Sequence, residues 1–97
     1  MRLRWARAAS DDLDRVDEYI SRDDPRAAID VVLDIIHAIE LLKQHPGLGR
    51  PGRVEGTREL IIPGLPYIVP YLEQGDTIVV LRVLHSSMKW PRHFRNR

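Results

Sequence analysis

The chain has 97 residues, 43% of them hydrophobic, and a formal net charge of +1 at neutral pH. This length predicts one domain, residues 1–97, and the apolar content suits a single core and is too high for a disordered chain. The chain has no cysteine, which excludes disulfides and thiol chemistry. No apolar run resembles a signal peptide or reaches the roughly 18 residues of a membrane span. We therefore expect a soluble cytoplasmic protein.

A short strand and two helices are predicted first. Residues 1–5 alternate polar and apolar side chains, which is typical of a strand. Residues 8–22 carry apolar side chains at helical spacing, and residues 25–44 form a second helix, with Asp24 as N-cap and Pro25 at its first position. The broad apolar face of the second helix predicts burial against both the first helix and a sheet, as in a helical hairpin.

After the Gly- and Pro-rich loop 45–52, the spacing of the apolar side chains changes from helical to the alternation of strands. Strands are predicted at 57–62, 67–72 and 77–84, the last being the most apolar and therefore the expected central strand. Pro70 removes a ladder donor, which favours an edge or a bulge for its strand. The order β-α-α-β-β-β predicts an α+β domain in which a helical hairpin packs on one face of a mostly antiparallel sheet.

Basic side chains form two candidate sites. Arg50, Arg53 and Arg58 lie on or beside the loop, where they would clamp a phosphate or carboxylate, or else form local ion pairs with nearby glutamates. Arg82 interrupts an apolar strand, and strict alternation places it on the face opposite Val79, Leu81 and Val83. His85 follows at the end of that strand, where it could move a proton at neutral pH or be structural.

Other polar and aromatic groups have simpler interpretations. The acidic run 11–24 is expected to be a solvated helix face that complements the helix dipole, rather than an acid–base or metal site. Tyr67 and Tyr71 share one strand face and are expected to pack in the sheet rather than to stack on bases. No two histidines are closer than eight residues, so no zinc motif is present and no metal is expected.

The C-terminal end concentrates positive charge. Residues 82–97 contain five basic side chains and no acid, whereas the rest of the chain has ten basic and fourteen acidic ones. This segment also contains Trp90 and Phe94. Cations with aromatic rings suit phosphate backbones and stacked bases; the alternative is a solvated, partly disordered end.

Taken in order, five segments of the chain closely resemble the RelE/ParE family of toxins from bacterial type II toxin–antitoxin systems. They are Asp24–Ala28, His45–Arg50, Gly56–Leu60, Pro66–Tyr71 and Val80–His85. The resemblance covers almost the whole chain, and the family fold is the β-α-α-β-β-β arrangement predicted above. It implies a growth-inhibiting toxin that a cognate antitoxin neutralises.

Two activities occur among such toxins. RelE-like members are ribosome-dependent mRNA endonucleases that work without metal, and ParE-like members poison DNA gyrase. The nucleases carry an arginine after the middle-strand tyrosine and a basic residue after the last strand, where this chain has Ile68 and Ser86–Ser87. Because cleavage needs cations to hold the scissile phosphate, these departures favour a ParE-like gyrase poison, with a RelE-like endoribonuclease as the alternative.

The resemblance assigns the candidate residues according to the activity. In a nuclease, His85 would be the general acid or base, with Arg58 and Arg82 on the phosphate. In a gyrase poison, the basic loop and tail would bind the target. The residues expected to bind target or nucleic acid are Arg50, Arg53, Lys89, Trp90, Arg92 and Arg95. Neither activity implies a cofactor.

A cognate antitoxin is the expected partner, in a toxin–antitoxin hetero-oligomer. Its C-terminal segment would be amphipathic and acidic, and would fold over the apolar sheet edge and the basic surface. No membrane partner is expected.

Overall fold

Two helices pack on one face of a mixed sheet in the computed structural model, which describes residues 1–97. The elements in chain order are β1 (Arg2–Trp5), α1 (Arg7–Ser21), α2 (Pro25–Glu40), β2 (Arg50–Pro51), β3 (Arg58–Ile61), β4 (Tyr67–Gln74), β5 (Thr77–Val80) and β6 (Leu84–His85). The sheet order is β1-β5-β4-β3-β2, with β6 beside β4. Only β1 and β5 are parallel, so the predicted α+β fold with a mostly antiparallel sheet is confirmed.

The two helices begin differently. Asp24 caps α2 as predicted: its carboxylate accepts a hydrogen bond from the backbone N–H of Ala27 at 3.1 Å. Helix α1 has no side-chain cap and no acid in its first turn, so the expectation that early acids complement its dipole is wrong. Instead, the backbone N–H of Arg7 donates to the backbone oxygen of Arg97 at 2.6 Å, which gives one otherwise unpaired helix N–H a partner.

Apolar residues of the helices and of one sheet face form the core. Ile35 and Ile39 of α2 are fully buried in the same cluster as Tyr71, Ile78 and Val80 of the sheet. Each such aliphatic side chain contributes roughly 1.5–3 kcal/mol on burial. Helix α2 ends at Glu40, before the predicted residue 44, and one 3-10 turn, Leu41–Lys43, keeps Leu42 in the core.

Pro70 lies in the central strand, β4, so the predicted edge position is wrong, whereas the predicted bulge is present. Residues 69–70 of β4 lie opposite residues 81–83, so the partner segment has one extra residue between β5 and β6. The carbonyl of Pro70 accepts a hydrogen bond from the N–H of Leu81 at 2.9 Å. The predicted continuous strand 77–84 is therefore two short strands, and it lies beside the sheet centre instead of forming it.

Because of the extra residue, the side chains on the two sides of the bulge do not follow one continuous alternation, and this changes which of them face the helices. Ile78, Val80 and Val83 belong to the core cluster, so the strict alternation that placed Val79, Leu81 and Val83 on one face is wrong. Since Val79 and Leu81 alternate with residues of the core cluster, they are buried on the opposite side of the sheet.

The C-terminal segment, residues 86–97, crosses the face of the sheet away from the helices. Near the β2 edge, the guanidinium of Arg53 lies 3.6 Å from the ring centroid of Trp90. At the β1 edge, the guanidinium of Arg4 donates to the backbone oxygen of Asn96. Five strands span roughly 19 Å, a distance that the chain from residue 90 to residue 97 can cover at roughly 3.4 Å per residue.

The position of β1 identifies the covered face. Leu3 and Trp5 pack against the core cluster, so Arg4 between them points to the other side of the sheet. Val79 and Leu81 are buried on that side, although no helix covers it. The C-terminal segment is thus packed against the sheet, and the alternative of a solvated end is not what the structure shows.

Candidate functional site

A cavity of about 420 Å³ opens between α1 and the ends of β4 and β6. It brings together two of the residues singled out in the sequence, Arg82 and His85. Its lining consists of Asp12, Arg15, Val16, Tyr19, Tyr67, Arg82, Val83, His85, Ser87 and Met88.

Asp12 and Arg82 form a bidentate ion pair at the inner wall of this cavity. The Arg82 Nε and Nη2 atoms lie 2.6 and 3.0 Å from the two Asp12 carboxylate oxygens. The hydrogen bond to Asp12 raises the pKa of Arg82 above its usual value, although partial burial acts in the opposite direction. Asp12 is only 6% exposed, so its assignment to a solvated helix face is wrong.

The bulge explains why an arginine is found in this apolar segment. Its extra residue leaves the backbone N–H of Val83 without a ladder partner, and this N–H donates to Asp12 Oδ2 at 3.0 Å. One carboxylate therefore pairs a strand N–H and a guanidinium. Arg15 adds a longer contact to Asp12, at 3.4 Å, from an exposed position.

His85 is exposed at the mouth of the cavity. Its Nδ1 accepts a hydrogen bond from the backbone N–H of Ser87 at 3.1 Å, and the Ser87 hydroxyl lies 2.7 Å from the same nitrogen. The Tyr67 ring meets the imidazole edge-on, with 5.6 Å between centroids. Because Nδ1 acts as an acceptor here, Nε2 is the ring nitrogen left for a ligand.

Arg58 does not join this group. It lies opposite Tyr71 on one side of β4, whereas His85 lies opposite Tyr67 on the other. Four residues along a strand and two strand spacings separate their Cα atoms by roughly 16 Å. The Arg58 guanidinium donates to the carbonyl of Gly49 at 2.8 Å. The three residues proposed for a nuclease site are therefore not assembled in one place.

The loop arginines surround one buried carboxylate. Glu59, 2% exposed, accepts hydrogen bonds from the Arg50 guanidinium at 3.0 and 3.2 Å, and from Arg53 through its backbone N–H at 2.8 Å and its Nε at 3.2 Å. Burial alone would raise the pKa of Glu59, but these hydrogen bonds outweigh it and hold the pKa below its usual value of 4.5. Of the two interpretations left open by the sequence, the structure thus has the local ion pairs.

The C-terminal segment keeps its charges free and its rings packed. Lys89, Arg92 and Arg95 are exposed and take part in none of the ion pairs of the structure. Trp90 lies under Arg53 and meets Phe94 at a 65° interplanar angle, with 6.4 Å between centroids. The Trp90 Nε1–H is buried and has no hydrogen-bond partner.

Asp12 and Glu59 organise these two regions. The role of Asp12 was not predicted from the sequence, whereas ion pairs between the loop arginines and nearby glutamates were one of the two alternatives, without the burial of Glu59. Asp12 has a recognisable signal, because Ala9, Asp12 and Val16 follow one another at three- and four-residue spacing on the buried stripe of α1. A carboxylate on such a stripe requires a buried cationic partner. The burial of Glu59 has no comparable local signal, since charged residues on alternating strands usually lie on the solvent-exposed face.

No group of three or more His, Asp or Glu side chains lies close enough together to hold a metal ion. Neither helix combines the length and the apolar character that crossing a bilayer requires.

Comparisons with known proteins agree with this fold. A sequence profile of the family described as "ParE toxin of type II toxin-antitoxin system, parDE" matches residues 3–90. A curated protein of Sinorhizobium fredii, named "Putative toxin Y4kP", is 43% identical over 91 residues, which cover 94% of each chain. A chain from the solved structure titled "Chromosomal ParDE TA system from P. aeruginosa" is 35% identical, with a TM-score of 0.80, covering 88% of this chain and 95% of that one.

Proposed function

This chain belongs to the ParE family of toxins from type II toxin–antitoxin systems, and from that premise we propose that it poisons DNA gyrase by binding, with no bond cleaved by its own side chains. Its exposed C-terminal cations would make the target contacts, in place of the loop arginines that Glu59 holds. The proposal requires a cytoplasmic toxin, because gyrase acts on DNA there.

The observation that carries this proposal is the Asp12–Arg82 pair. A metal-independent nuclease needs cations free to meet the charge that develops on the scissile phosphate. Arg82, one of the two arginines that line the cavity with His85, already has a buried carboxylate as its bidentate partner. A phosphate would have to displace that carboxylate and leave it buried without its main partner, which costs several kcal/mol.

The residue after Tyr67 supports the same conclusion. A nuclease of this family would have an arginine there, and Ile68 is buried in the central strand. No second cation therefore comes from that position, and Arg58 is roughly 16 Å from His85 along and across the sheet. Besides Arg82, the only arginine lining the cavity is Arg15, which also contacts Asp12, at 3.4 Å. The cavity therefore has a proton donor in His85 but no pair of arginines free of Asp12 to clamp a phosphate.

Replacement of His85 by glutamine tests the mechanism. The purified variant should stabilise gyrase–DNA cleavage complexes as well as the wild type does, and should remain toxic when expressed. His37→Gln, at an exposed position on α2, is the matched control. Cleavage of mRNA on programmed ribosomes that His85→Gln abolishes and His37→Gln preserves would establish the RelE-like endoribonuclease instead.

An antitoxin is the partner of such a toxin, and we propose that part of it docks at the free edge of β3. β2 pairs only with the first half of β3, which leaves the backbone at Ile61 open on that side. A groove of about 300 Å³ adjoins this edge, and Leu41, Leu48 and Ile61 beside it are each about half exposed. An extended apolar segment would add backbone hydrogen bonds at the edge and bury a side chain in the groove.

This docking site can be tested with two isoleucines of similar exposure. Ile61→Asp should weaken antitoxin binding at least tenfold in a titration with the purified antitoxin. Ile29→Asp, on the outer face of α2, should leave the affinity unchanged; Ile61 and Ile29 are 50% and 57% exposed. Equal effects of the two substitutions would rule out the β3 edge as the docking site.

A further inference from the structure

The cations of the C-terminal segment form a surface that no acidic side chain neutralises. Lys89, Arg92, Arg95 and Arg97 are exposed and unpaired, and no acid occurs from residue 86 to residue 97. Arg15, Arg50, Arg53 and Arg82 elsewhere each have a carboxylate partner. The free cations therefore retain their full attraction for an external anion.

Most of the exposed acidic side chains lie on the opposite side of the sheet. Between residues 10 and 40, the helical hairpin exposes nine acids and three arginines. Because the helices and the C-terminal segment cover opposite faces of the sheet, the protein has an acidic side and a basic side. A polyanion would attract one face and repel the other, which orients the protein on it despite a net charge of only +1.

The aromatic rings indicate which polyanion fits. Proteins that bind single-stranded nucleic acid combine cations with exposed rings on which bases stack. Here the Trp90 ring packs beneath Arg53 and against Phe94, and both rings are partly buried. The surface therefore presents exposed cations but no exposed ring on which a base could stack. Such a surface is suited to the phosphate backbone of a duplex.

We propose that the face formed by the C-terminal segment binds the phosphate backbone of duplex DNA without sequence preference, through Lys89, Arg92 and Arg95. The inference rests on the proposed function, in which the DNA held by gyrase is the duplex contacted. Arg92 and Arg95 lie beyond residue 90, where the match to the family profile ends, so the profile match does not account for this surface.

The backbone of the segment is held in place before any DNA arrives. Its anchors are the Arg53–Trp90 stack, the Arg4–Asn96 hydrogen bond and the hydrogen bond between Arg7 and the last residue. None of these contacts uses the side chains proposed to bind phosphate. The cations are thus presented on an ordered strip, and only their own side-chain freedom is lost on binding.

The salt dependence of binding follows from the number of phosphates contacted. Three contacts predict a slope of log K against log salt of about −2.7, since each phosphate contributes about 0.9. Between about 50 and 200 mM salt the affinity should therefore fall roughly 40-fold. Arg92→Gln/Arg95→Gln should reduce the slope to about −0.9 and the loss to roughly 3.5-fold.

Fluorescence anisotropy with a labelled duplex of about 20 base pairs tests these values. Arg22→Gln/Arg26→Gln, at exposed positions of the helical hairpin, is the matched control and should bind as the wild type does. Single-stranded DNA of the same length and a polyglutamate peptide are the competing ligands, and the DNA duplex should bind at least tenfold more tightly than each of them. Circular dichroism checks that both variants keep the fold.

Several outcomes would overturn the inference. They are the absence of duplex binding at low salt, equal loss in the two double variants, or a competing ligand that binds as tightly as the duplex. A gyrase cleavage assay on the same samples separates the two proposals. A wild type that poisons gyrase without binding free DNA refutes the DNA surface alone, whereas DNA binding without any effect on gyrase refutes the gyrase proposal.

Discussion

Replacement of Asp12 by alanine should be one of the most damaging single substitutions in this protein. It removes both hydrogen bonds to the Arg82 guanidinium and leaves the backbone N–H of Val83 without an acceptor. Removing one partner of a buried ion pair costs about 3–5 kcal/mol. Because the Arg82 side chain is 23% exposed and can recover some hydration, we expect the lower end of that range, about 3 kcal/mol.

Chemical and thermal unfolding measure this loss directly. For a domain of this size, 1 kcal/mol shifts Tm by roughly 4–8 °C, so Asp12→Ala should lower Tm by roughly 12–24 °C. The control is Asp11→Ala, an adjacent and exposed acid on the same helix, which should change stability by less than about 0.5 kcal/mol.

A double-mutant cycle with Arg82→Met separates the pair from its surroundings. Each single variant leaves one charged partner buried, whereas the double variant leaves neither and should be more stable than Asp12→Ala alone. A double variant whose losses simply add, or an Asp12→Ala protein as stable as Asp11→Ala, would refute the assignment of Asp12 as the partner of Arg82.

Three further substitutions test other contacts. Tyr71→Phe removes a hydroxyl that donates to the Pro46 carbonyl at 2.7 Å and accepts from the Gly49 N–H at 2.8 Å; urea unfolding should show a loss of about 2 kcal/mol, and an unchanged midpoint would contradict it. The lowered pKa of Glu59 means that its contribution to stability is complete above the unfolded pKa near 4.5 and is lost as the pH falls through the folded pKa. Wild-type stability should therefore fall more steeply below about pH 4.5 than that of Glu59→Gln, and parallel acid profiles would exclude this role. Asp24→Ala should cost about 1 kcal/mol through loss of the α2 N-cap, and an unchanged Tm would show that Pro25 alone suffices to start the helix.

The helices were predictable because their signals are local. The apolar spacing in residues 8–22 and the Asp24-Pro25 start placed both helices to within a few residues. The β-α-α-β-β-β order then indicated the α+β class, since strands in sequence after a helical hairpin have few ways to cover its apolar face. Family resemblance and physical pattern agreed on this point.

Sheet pairing was less predictable. Pro70 indicated an edge or a bulge, and only the bulge is present, because β4 lies between β3 and β5, the strands that precede and follow it in the chain. A proline is tolerated there because the extra residue in segment 81–83 interrupts the regular ladder opposite Pro70. The missing N–H of Pro70 therefore breaks no regular pair with that segment. A pattern within one strand carries no information on which segments will flank it.

The toxin family, the helical hairpin and the concentration of positive charge from residue 82 onward could all be inferred from the sequence. The pairing of charges could not: Arg82 pairs with Asp12, seventy residues earlier, and Arg50 and Arg53 share Glu59 while the cations beyond residue 88 stay free. The physical reason is that composition fixes how much charge a chain carries, whereas burial and distance decide which charges neutralise one another. Those two quantities exist only once the sheet has brought distant segments together.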